Sequence, residues 1–154
     1  MARFREDHVL LISWAVDCAK RVLYLFQLAR CDDRPAQAIR VARQWAYGEV
    51  ATGVAMKASV AAHTASRSVD NDPVGSNVAV AVARAAGYAV ATAHFADHCL
   101  GGSSYALKSI VANGCDPQIE LGWQSSKIPG GLRDIVLNGL RIRLSAMGID
   151  AKIP

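Results

Sequence analysis

The chain has 154 residues, of which 52% are hydrophobic and only 19% charged, and its formal net charge is +4. That length predicts one domain with a sizeable apolar core. The basic residues are scattered (Arg40, Arg43, Arg67, Arg84, Arg133, Arg141, Arg143) and lack the clustered footprint that nucleic-acid binding needs, and cysteines at 18, 31, 99 and 115 give no CxxC metal or redox motif.

The apolar pattern is helical in period throughout, and no β-branched alternation marks a strand. A first helix is predicted over about Glu6 to Ala29, with Ile12, Ala15, Ala19, Val22, Leu23 and Phe26 as its core stripe. Its apolar run is short, follows acidic residues and lacks a signal-cleavage pattern, so a reduced, cytoplasmic protein is the expectation. Asp32-Asp33-Arg34-Pro35 starts a second helix to about Tyr47, which Gly48 ends. A third, about Ala51 to Val69, carries Ala51, Ala55, Ala58, Ala62, Ala65 and Val69 in steps of four and three. Asp70-Asn71-Asp72-Pro73 is then the clearest turn, and it predicts an antiparallel helical hairpin.

Asn77 to Cys99 reads as one long helix, roughly 35 Å if unbroken. Ala79, Ala83, Ala86, Val90 and Ala93 form one small-residue stripe, and Val78, Val82, Ala85, Ala89, Thr92 and Ala96 form a second. A helix apolar on nearly every face belongs inside a bundle. Gly87 lowers its helix propensity by about 1 kcal/mol, so a packing reason for it is expected. Arg84, Asp97 and the histidines interrupt the run too often for a membrane span. Gly101-Gly102-Ser103-Ser104 is the expected kink or restart, and Asn113-Gly114 the end of the following segment. Asp116-Pro117 caps the next helix, Ile128-Pro129-Gly130-Gly131 stops it, and a last helix runs from about Leu132 to Met147. Gly148 closes that helix, and residues 148–154 are expected to form a loose tail. The fold class is therefore all-α, a single-domain bundle of about six helices around a central alanine-rich one.

One seam of the central helix is polar: Arg84, Tyr88, Ala91, Phe95, His98. If Asp17 is buried, Arg84 is its expected partner. His94 and His98, with Asp97 between them, would stand on one helix face at a spacing that helical zinc sites use, and His63 on a neighbouring helix is the candidate third ligand. The alternative is a set of histidines satisfied in a helix interface. No GxSxG is present, and no Ser or Cys has a base beside it in sequence.

WAVDCAKRVLYLF near the start, DDRPAQAIRVARQWAYGE next, then AGYAVATAHFADHCLGGSSYALKSI and the WQ…IPGGLRDIVLNGL segment, in that order and spacing, resemble a bacterial family of immunity proteins, the Imm-5-like domain. The resemblance covers about Ser13 to Leu140. It implies an all-helical protein that neutralises a toxin of a bacterial polymorphic toxin system by binding it, with no catalytic residue to carry over and no cofactor. Many nuclease toxins are basic and favour a negative inhibitor surface, so a chain at +4 points to another toxin type. Two other functions compete with this one. One is a small helical metal-binding protein or metalloenzyme using His63, His94, His98 and Asp97. The other is a structural homodimer through the alanine-rich surface, because two small-residue faces exceed what one neighbour can cover.

Overall fold

The computed structural model describes residues 2–72 and 76–154. Among the described residues seven α-helices follow one another: α1 (Ala2–Ala29), α2 (Arg34–Ala46), α3 (Thr52–Asp70), α4 (Asn77–Ala91), α5 (Cys99–Ala112), α6 (Pro117–Ser126) and α7 (Arg133–Ala146). Short 3₁₀ turns at Ala96–His98 and Gly130–Leu132 lead into α5 and α7. There is no strand among the described residues, and no helix there is long and apolar enough to cross a membrane.

α4 is the enclosed element. Ala79, Val82, Ala83, Ala86, Ala89 and Val90 are all buried, and α1, α2, α3 and α5 pack around it. Both small-residue stripes are thus covered within the chain, which removes the packing reason for a second copy on that surface. α3 reaches α4 through hydroxyls as well as alanines. Ser59 Oγ donates to the Gly87 carbonyl at 3.0 Å, and Ser66 Oγ donates to that of Val80 at 3.3 Å. Ile12, Ala15, Ala19, Val22 and Phe26 of α1 fill the opposite side, each almost completely buried. A side chain of Phe26's size contributes about 1.5–3 kcal/mol by leaving water.

The helix ends follow local chemistry. Gly48, Gly114 and Gly148 take positive φ, at 78°, 78° and 69°, directly after the helix-ending residues Tyr47, Asn113 and Met147. Asp116 Oδ1 accepts from the Gln118 amide at 2.9 Å, with Pro117 at the first helical position. At α2 the acid that works is Asp32, one residue earlier than a direct cap. Its carboxylate accepts from the Arg34 amide and pairs with the Arg34 guanidinium at 2.6 Å, whereas the Asp33 side chain makes no capping bond. The turn after α3 is described as far as Asp72, which pairs with Arg30 at 2.7 Å; Pro73 lies outside the described residues.

Two sequence expectations for the central segment are overturned. The long central helix stops at Ala91, and Gly101 and Gly102 lie inside α5 instead of breaking the chain. A continuing helix would use the Thr92 carbonyl for the Ala96 amide. His8 of α1 takes that carbonyl with its ring N–H. The Thr92 hydroxyl also donates back to Tyr88, and the amides of Ala93 and His94 tighten to three-residue bonds. Phe95 then goes extended at φ −127° and ψ 123°. Gly102 has a different role, since a Cβ there would stand 3.1 Å from that of Ala15, so it lets α5 lie close against α1. The chain beyond α7 is also held. Ile149 is buried, and Gln118 both donates to and accepts from the backbone of Lys152, at 2.9 and 2.8 Å.

Candidate functional site

The polar seam of α4 becomes, in three dimensions, the middle of a ring cluster. Tyr88 stacks on Tyr105 of α5 with centroids 5.3 Å apart and planes 6° from parallel. His63 of α3 meets it edge-on at 4.9 Å and 78°, and His98 lies at 5.7 Å. Phe95, 56% exposed, continues the cluster outward to His98 and His94. Aromatic pairs in these arrangements add about 0.5–1.5 kcal/mol each beyond their area.

Glycines make room for the rings. A Cβ on Gly87 would come within 2.8–2.9 Å of the His63 imidazole, and one on Gly101 within 2.5 Å of Tyr88 Cγ. The packing reason expected for Gly87 is therefore the His63 ring.

The His63 and His98 imidazoles resist protonation. Burial, with Arg67, Arg84 and His98 nearby, lowers the His63 pKa from its ordinary 6.5. Burial also lowers that of His98; Arg143 and His94 add to the effect, and Asp97 opposes it. The inner thiols are kept protonated as well. Burial pushes Cys99 up to about 12 and raises Cys18 well above its usual value, while Cys31 and Cys115 are exposed.

Beside the rings, α4 and α5 bound a cleft of about 350 Å³. Arg84 and Lys108 stand at one end, each 5.7 Å from the Tyr105 centroid. Asp70 and Asn77 line the other, where α3 ends and α4 begins. A second polar surface joins α1 to α6. Arg21 grips Glu120 through two bonds of 2.7 and 3.0 Å and covers the Trp123 ring at 3.9 Å. A third surface is apolar: Ile135 and Ile142 of α7 are 71% and 73% exposed.

The sequence candidates separate as follows. His94 and Asp97 are exposed, and His98 lies past the chain reversal, so His94 and His98 do not share a helix face. His63 faces Tyr88. Among the described residues no group of three His, Cys, Asp or Glu is placed to hold a metal ion. Asp17 pairs with Arg43 of α2 at 2.8 Å, and not with Arg84, which lines the cleft. Tyr105, Lys108 and Asp70 escaped the sequence reading. The one signal for the first two is their three-residue spacing, which sets them on one face of α5.

The fold is that of an all-helical protein with half-buried stacked rings and large apolar side chains exposed on α7. The chain belongs to the family described as Imm-5 like putative immunity protein, which matches residues 4–130. No curated protein and no solved structure matches it. α7 begins just beyond the matched segment.

Proposed function

We propose that this protein is an immunity protein that neutralises a bacterial toxin by binding it directly, without catalysis, in the cytoplasm. The observation that carries the reading is the family match over residues 4–130. The chemistry of the surface agrees with it. The His63 and His98 rings are engaged against Tyr88, and the Cys18 and Cys99 thiols are buried and held protonated, so none of them is poised as a nucleophile. Large apolar side chains stand out on α7, as they do where a protein partner docks. The net charge of +4 favours a partner with an acidic face.

The test is co-expression with the toxin encoded beside it. Growth should be restored, and the two proteins should co-elute as one complex. Continued toxicity, with no complex formed at micromolar concentrations, overturns the reading.

A further inference from the structure

The cleft between α4 and α5 holds opposite charges that are not paired with one another. Arg84 and Lys108 make no ion pair with a described carboxylate, and Asp70 makes none with a described cation. Both cations stand 5.7 Å from the centroid of Tyr105, whose ring is held by its stack on Tyr88.

At the far end Asp70 closes α3 and supplies a full negative charge, while the amide end of α4 at Asn77 and the carbonyl end of α5 carry opposing partial charges. Asn77 and Arg84 are seven residues apart on α4, about 10 Å at about 1.5 Å per residue. Between the two ends lies an apolar floor that includes Val80.

A simple anion would use one end of this cleft and a simple cation the other. A segment carrying both charges uses both and lays its backbone over the apolar floor. In polyproline II conformation, residues three apart share a side and are separated by about 9 Å, close to the rise from Asn77 to Arg84 along α4.

We propose that the cleft receives an extended segment of the toxin partner, with a carboxylate side chain between Arg84 and Lys108 and a cationic side chain three residues away at Asp70. The identity of the occupant rests on the immunity reading; the charge pattern of the cleft does not.

The experiment uses the full chain and the capped peptide Ac-Glu-Pro-Pro-Lys-NH2, followed by amide chemical shifts. Saturable shifts at Val80, Arg84, Tyr105 and Lys108 are expected at millimolar peptide. They should weaken several-fold with Ac-Glu-Pro-Pro-Gln-NH2 and on Asp70→Asn, and vanish on Arg84→Gln/Lys108→Gln. No saturable shift at these residues, or equal binding of the singly charged peptide, overturns the charge-pair reading of the cleft.

A separate arm assigns the occupant. Arg84→Glu/Lys108→Glu, checked as folded by circular dichroism, should weaken the toxin complex at least tenfold. Wild-type affinity of that variant removes the toxin as occupant. If the unaltered protein fails to neutralise the toxin, the immunity reading falls, and the peptide arm still decides the cleft.

Discussion

Replacing Gly101 by alanine sets helix propensity against packing, and the structure decides the sign. Alanine in a helix is favoured over glycine by up to about 1 kcal/mol. The added Cβ, however, would lie 2.5 Å from Tyr88 Cγ and 2.8 Å from its Cβ and Cδ1. These atoms sit close to the α4 backbone and cannot swing away, and the ring beyond them is closed by Tyr105. Overpacking of this kind costs about 1–3 kcal/mol, and losing the Tyr88–Tyr105 stack costs about 0.5–1.5 kcal/mol more. The net expectation is a loss of about 1–3 kcal/mol. Gly122, exposed within α6, has nothing within 4 Å of its built Cβ, so Gly122→Ala should gain up to about 1 kcal/mol. Urea denaturation of the two variants should shift the midpoint in opposite directions with the slope unchanged. In a Tyr88→Ala background, Gly101→Ala should stop destabilising, because the two positions are coupled by contact. A Gly101→Ala protein as stable as the parent, with Tyr88 in place, would refute the packing account.

Three further outcomes follow from the same coordinates. The folded pKa values of His63 and His98 lie below the unfolded 6.5. The unfolded chain therefore binds more protons between those values, and stability is full above about pH 6.5 and falls as pH drops below it. Denaturation midpoints at pH 7.5 and 5.5 should show that slope, and His63→Gln/His98→Gln should flatten it. Gln124 is fully buried, accepts from Ser103 Oγ at 2.6 Å and donates to the Ser103 carbonyl at 3.4 Å. Gln124→Leu should cost about 1–3 kcal/mol by stranding the hydroxyl, and adding Ser103→Ala should recover part of it in a thermal melt. With a thiol reagent, Cys31 and Cys115 should label at once, and Cys18 and Cys99 only on unfolding; four fast thiols would contradict the burial.

The parts of the fold visible in sequence are those set by neighbours along the chain. Gly48, Gly114 and Gly148 end helices because the next backbone step is left-handed, a local demand that glycine meets. The core stripe of α1 shows through its period. The end of α4 was hidden, because it depends on a side chain 84 residues away: His8 occupies the Thr92 carbonyl. Alanine propensity alone argued for continuing through that point. Gly101 and Gly102 misled for the converse reason. Glycine in a helix is read as a break when its value lies in what it lets another helix place there, and those occupants, Tyr88 and Ala15, come from α4 and α1.

The same limit governs the surface. Arg84 and Tyr88 could be put on one seam from α4 alone, and Gly87 could be suspected of making room for something. Which ring filled that room, and which cation faced Tyr105, depended on how α3, α4 and α5 cross. Histidine spacing was a poor guide because it presumed the helix ran on through Thr92; once the chain turns there, four residues of separation no longer define a face. The charged groups left over are Arg84 and Lys108 at one end of the cleft and Asp70 at the other, each carried on a helix. Oppositely charged side chains on a flexible loop would collapse onto each other, whereas on α4 and at the end of α3 they stay available. That preorganisation lowers the ordering cost of binding.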